Sequence, residues 1–81
     1  MTTSAYLLIN CEHGFEEEIV NKLQQLPEIV EVYETASGVC DLIAKVSADT
    51  IGKLTETISW RIRRINKIIS TTTLIAIEGQ Y

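Results

Sequence analysis

The sequence is poor in the residues that staple or equip a small protein. His13 is its only histidine and Pro27 its only proline. A Cys/His metal centre has too few ligands to form, so no metal and no cofactor is expected. The two cysteines, Cys11 and Cys40, stand 29 positions apart. That spacing is neither a disulfide framework nor a CxxC motif. No P-loop, GxGxxG or nucleophile elbow occurs. With one histidine, an acid–base pair would have to be carboxylates alone, which argues against an enzyme. The longest apolar run, Ala5 to Ile9, is far short of the ~20 residues of a membrane span. The opening Met-Thr-Thr-Ser also lacks the charged start of a secretory signal. These absences lead to the expectation of a soluble cytoplasmic protein with no membrane partner.

What is present is an apolar chain of 81 residues, 46% hydrophobic and 22% charged. That is too apolar for disorder and too short for more than one domain, expected over 1–81. A core of this size supplies only a few kcal/mol by itself. With disulfides and metal set aside, oligomerisation is the expected staple. Seven basic residues against eleven acidic give a net charge of −4. A net acidic chain is a poor nucleic-acid binder. The balance is uneven: residues 1–44 carry −7 and residues 45–81 carry +3. Solvated helix faces account for this, and complementary ends that guide assembly between dimers are the sharper reading.

The patterning predicts two similar halves. Residues 4–11 form a strand that is apolar on both parities at Tyr6–Ile9, so both its faces need cover. Gly14 opens a helix whose stripe is Phe15, Ile19, Leu23 and Leu26. Glu16, Glu17 and Glu18 suit its positive end, and Pro27 stops it. Residues 29–35 and 39–47 predict a hairpin turning at Ala36-Ser37-Gly38, with Gly38 lending a permissive backbone. Asp49 is the expected N-cap of a second helix with the stripe Ile51, Leu54, Ile58, Ile62 and Ile65. Residues 68–77 form a last strand rich in β-branched side chains.

The order βαββαβ with right-handed crossovers gives the ferredoxin-like α+β arrangement. It is a four-stranded antiparallel sheet, order 4-1-3-2, with both helices on one face. Two helices cover one face only. Leu7, Leu8, Ile9, Ile68, Ile69, Leu74, Ile75 and Ile77 ask for cover on two. The remaining apolar face predicts a dimer packed sheet against sheet.

Asp41 is the most informative polar residue. Its parity partners are Val39, Ile43 and Lys45, while Cys40, Leu42, Ala44 and Val46 face the helices. A two-residue Ser37-Gly38 turn would set Glu34 opposite Asp41, an unfavourable pairing of like charges. A ligand ammonium between them would relieve it. A different register, or hydrogen bonds from turn amides to Asp41, would do so without a ligand. Ser70 to Thr73 place four hydroxyls in a row, able to receive a carboxylate or simply good strand formers. Arg61, Arg63, Arg64 and Lys67 gather at a helix C-terminus, where cations belong, without the aromatics of a stacking surface. Trp60 lies off the helix stripe, as an interface anchor would. Tyr33 belongs to the core or to a pocket at the hairpin. Cys11 and Cys40 are expected to be near one another, unbonded. His13 sits in a loop, solvated.

Three stretches together carry a resemblance. They are Ala-Tyr-Leu-Leu-Ile-Asn-Cys-Glu-His-Gly (5–14), the run from Leu26-Pro27-Glu28 through Gly38-Val39-Cys40-Asp41 to Val46, and Ile-Ile-Ser-Thr-Thr-Thr-Leu-Ile (68–75). In this order they resemble the effector-binding RAM domain of the Lrp/AsnC (feast/famine) transcription regulators, over about residues 4–78. His13-Gly14 stands in place of Pro-Gly, Pro27-Glu28 where Pro-Gly is common, Lys67-Ile68 where Gly-Val is common, and Cys40 where Tyr is common. The helix-turn-helix half has no counterpart, so the resemblance is to a stand-alone module.

The resemblance implies dimers assembled into a ring, an octamer or decamer, with a free amino acid bound between dimers. It assigns Gly38, Asp41, Thr71, Thr72 and Thr73 to that ligand. Asp41 would receive the ammonium, Gly38 would let backbone approach, and the threonines would hold the carboxylate. Full-length Lrp/AsnC regulators are the implied partners, and DNA is not bound directly. Two alternatives remain open: a cofactor-free enzyme on a dimeric barrel of the same fold, and a structural assembly module with no ligand.

Overall fold

A computed structural model describes residues 2–36 and 38–75. Strand β1 (Thr3–Cys11) leads to helix α1 (Glu16–Gln24) and to strands β2 (Ile29–Glu34) and β3 (Leu42–Ala48). Helix α2 (Ile51–Glu56) continues into a π-helical segment (Thr57–Ile62), and β4 (Ile68–Ile75) follows. The sheet order is β2-β3-β1-β4, the expected 4-1-3-2 read from its other edge, and the ladders are antiparallel.

Registry decides which side chains are buried. Across β1 and β3, Leu7 pairs with Ala44, Ile9 with Leu42 and Ala5 with Val46. All six are fully buried. They meet Ile19 and Leu23 of α1, Leu54 of α2, and Ile58 and Ile62 of the π-helical segment. Val32, paired with Ala44, and Ile29, paired with Val46, extend this layer into β2. The period of two therefore placed the helix-facing parity of β3 correctly.

Among the described residues no helix lies over the opposite sheet face. Tyr6 pairs with Leu74 on β4 and Leu8 with Thr72. Leu8 also pairs with Ile43, and Tyr33 with Ile43. Tyr6 is 44% exposed, Leu74 51% and Tyr33 59%, so Tyr33 belongs to this open face and not to the core. Lys45 lies over the Tyr6 ring at 5.9 Å.

Several local expectations need correction. Thr50, not Asp49, caps α2: its Oγ1 accepts from the Lys53 amide at 3.1 Å, with extended backbone at Thr50. Ile51 is 58% exposed and leaves the predicted stripe. Downstream the winding is wider, and the Arg63 amide donates to the Ile58 carbonyl five residues back at 3.0 Å. The buried positions Leu54, Ile58 and Ile62 recur at intervals of four.

The hairpin is also longer than predicted. Glu34 pairs with Leu42, so it does not face Asp41, and β3 begins three residues after Val39. A Cβ added at Gly38 would meet no other atom within 4 Å, so no close approach there calls for glycine. Ser37 and residues 76–77 of the predicted last strand lie outside the described residues.

The connections into α1 and β4 meet at one corner. Gly14 has a φ of +92°, and its amide donates to Glu16 Oε1 at 2.8 Å. Lys67 has a φ of +77°, a conformation that disfavours residues with a Cβ. Its carbonyl accepts from the Glu12 amide at 2.9 Å. Its ammonium lies 3.4 Å from Glu12 Oε2 and 4.9 Å from the centre of the Phe15 ring.

Candidate functional site

Asp41 precedes β3 at the end of the sheet that also holds the close of β1. Its amide donates to the Ile9 carbonyl at 2.9 Å, and its carbonyl accepts from the Thr35 amide at 2.9 Å. Its carboxylate Oδ2 accepts from the Cys11 amide at 2.9 Å. Asp41 thus extends the β1–β3 ladder by one side-chain rung and ties the hairpin connection to β1. Cys11 is buried next to this carboxylate. Burial first, then the charges of Asp41, Glu16 and Glu34, raise its thiol pKa. Both cysteines are unbonded. Cys40 lies beside Thr35, whose Oγ1 donates to the Cys40 carbonyl at 2.5 Å.

The threonines divide between the faces of β4. Thr71 pairs with Ile9 and Thr73 with Leu7, so both share the helix side. Thr72 pairs with Leu8 and lies on the open face. Thr71 and Thr73, with Ile75, border a cleft of about 300 Å³. Its other wall is Thr55 of α2, Ile58 and Ser59 of the π-helical segment, and Arg63 just beyond it. Four hydroxyls, one guanidinium and two isoleucines therefore surround one space.

Within a single chain the five sequence-predicted residues do not converge. β1 separates Asp41 and Gly38 from the threonines, and Thr72 is on the other face from Thr71 and Thr73. The cleft residues Thr55, Ser59 and Arg63 were not singled out as ligand groups. Their spacing of four was a signal: on a helix it aligns them along one flank. A second cleft of about 230 Å³, at Pro27, Glu28, Ser47, Ala48, Asp49 and Lys53, lies away from these hydroxyls.

His13 is fully exposed, with Nδ1 3.8 Å from Glu16 Oε2. Trp60 is 59% exposed, and the Arg64 guanidinium stacks 4.5 Å from its ring centre. Among the described residues there is no cluster of three or more metal-ligating side chains. No helix among them is long and apolar enough to cross a membrane.

Comparison with known proteins finds relatives over nearly the whole chain. The family model for the Lrp/AsnC ligand binding domain matches residues 4–79. The regulatory protein AsnC of Haemophilus influenzae is 36% identical over 63 residues, 78% of this chain and 41% of that protein. Among solved structures, FFRP-DM1 superposes with a TM-score of 0.87 at 39% identity, covering 93% of this chain and 99% of that one. The hypothetical protein PHS023 from Pyrococcus horikoshii gives a TM-score of 0.86 at 38% identity, covering 98% and 93%. The chain spans less than half the length of the curated regulators it matches.

Proposed function

The chain belongs to the Lrp/AsnC ligand-binding domain family, and from that premise we propose that it is a non-enzymatic sensor of a free amino acid. One observation carries the reading: the cleft in which Thr71 and Thr73 face Thr55, Ser59 and Arg63. Hydroxyls supply both donors and acceptors, and Ile58 and Ile75 supply apolar contact. A small zwitterion with a short side chain matches such a lining.

The ligand site is completed by assembly. The open face with Tyr6, Leu8, Tyr33, Ile43 and Leu74 supports a dimer packed sheet against sheet. Such dimers would close into a ring of four or five. Contacts between dimers would bring Asp41 and Gly38 of one copy toward the threonines of another, joining groups that one chain keeps apart. The exposed Trp60–Arg64 stack offers an anchor for such contacts. Ligand binding would then bias the assembly state, and co-assembly would pass that bias to full-length regulators of the family in the cytoplasm. The domain itself leaves DNA contact to those partners, in keeping with its net charge of −4.

Calorimetric titration against the twenty amino acids, with light scattering in parallel, tests this reading. The expected result is saturable heat with a small subset of them and a change in assembly state. Rings that form while no amino acid gives heat would leave only a structural assembly role.

A further inference from the structure

The cleft contains a charge that the general amino-acid reading does not use. We propose that Arg63 makes this a site selective for ligands with a carboxylate-bearing side chain, so that the effector is an acidic amino acid. The inference rests on the proposed function for the ammonium end of the ligand. Its charge selectivity rests on the cleft alone.

Three observations point this way. Among the described lining residues, Arg63 is the only ionisable one, and no Asp or Glu lines the space. Other bases nearby are engaged. Arg61 Nη1 donates to Glu28 Oε1 at 2.9 Å, Lys67 pairs with Glu12, and Arg64 stacks on Trp60. Arg63 has no carboxylate within ion-pair distance among the described residues. Finally, Thr55, Ser59 and Arg63 form one flank, and Thr71 and Thr73 alternate along the facing strand. A carboxylate set between these rows can accept from the guanidinium and from hydroxyls of both walls.

A zwitterion with a neutral side chain fits this charge pattern less well. With its ammonium at Asp41 of a neighbouring copy, at the mouth of the cleft, it has no second carboxylate for Arg63, and none of the described lining residues is an Asp or Glu. An acidic side chain supplies that second carboxylate. The side-chain carboxylate meets Arg63, and the ammonium end stays at the mouth of the cleft.

The test is calorimetric titration of the full chain with L-aspartate, L-glutamate, L-asparagine, L-glutamine and succinate. It is run on wild type and on Arg63→Gln. At least one acidic amino acid should bind about tenfold or more tightly than its neutral amide, the scale of one charge-assisted hydrogen bond. Arg63→Gln should remove that preference, and higher salt should weaken it. Equal affinity for acid and amide, or a preference that survives in Arg63→Gln, would overturn the proposal. If neutral amino acids bind independently of Arg63, the amino-acid sensor stands and the charge selectivity falls. If succinate alone binds, and needs Arg63, the anion site stands and the amino-acid reading falls. No heat from any of the five overturns this proposal, while heat with another amino acid would still uphold the sensor.

Discussion

Replacing Asp41 separates two roles that the family resemblance would merge. The carboxylate accepts the Cys11 amide at 2.9 Å, and Cys11 is only 6% exposed. In Asp41→Ala that amide loses its acceptor at a buried residue. Leaving such a donor unpaired costs about 1–3 kcal/mol. Asp41 itself is only partly buried, so water can replace some of the lost bond and the lower half applies. A loss of about 1–2 kcal/mol corresponds to roughly 4–16 °C in Tm for a domain of this size. Asp41→Asn keeps an oxygen acceptor and loses only the charge. Its cost should be about 0.5–1 kcal/mol, a few degrees. The assay is thermal denaturation followed by circular dichroism, at one fixed protein concentration because assembly also shifts Tm. A Tm for Asp41→Ala within about 1 °C of wild type would refute the structural role. The ligand role is read separately. If Asp41 receives an ammonium, Asp41→Asn should lose most of its amino-acid affinity while remaining folded and assembled. Unchanged affinity would remove Asp41 from the site.

Further outcomes follow from other residues. The Cys11 thiol is neutral in the fold beyond its ordinary range, because burial and neighbouring carboxylates oppose the thiolate. That stability contribution is fully present below the unfolded thiol pKa, near ~8.5. It is lost as pH rises through the higher folded value, so urea midpoints should fall in mild alkali less steeply in Cys11→Ser than in wild type. Lys67→Gly relieves a positive φ worth ~1–2 kcal/mol, against ~0.4–1 kcal/mol of added unfolded-chain entropy and a weak exposed ion pair. Its Tm should stay equal or rise by a few degrees, and a clear fall would contradict the strain. Leu74→Glu puts a charge in the open apolar face, and light scattering should report monomers if that face is the dimer interface. Leu42→Ala empties a fully buried position beneath the helices and should cost about 2–5 kcal/mol by urea denaturation.

The parts legible in the sequence were those with a strong period. Alternation in β3 separated Leu42, Ala44 and Val46 from Ile43 and Lys45, and the register places them on the two faces as read. The stripe Phe15, Ile19, Leu23 and Leu26 packs onto the core from the N-cap of α1, the helix itself and the turn after it. Lys67, at a point where the sequence departs from the Gly-Val of the resemblance, is the left-handed residue. Periodicity could not report the π-helical winding at Thr57–Ile62, since four-residue spacing also fits an α-helix. It could not report the hairpin register either, because turn length is set by a few residues whose conformations have no period. Asp41 was legible as a polar residue needing a partner. Its partner is the amide of Cys11, 30 positions earlier, and no local pattern contains that pairing.

The sequence by itself determined the order of elements, the antiparallel sheet and the shortage of cover on one sheet face. Those follow from the periods of two and 3.6 and from the arithmetic of faces. Only the tertiary structure decided what the hydroxyls of β4 confront. Thr71 and Thr73 acquire a facing wall because β4 pairs with β1 in one register and the π-helical segment runs across from that edge. Arg63 read as one more cation at a helix end. It became a candidate for ligand choice because folding set it across a narrow space from two threonines, with no described carboxylate to pair with.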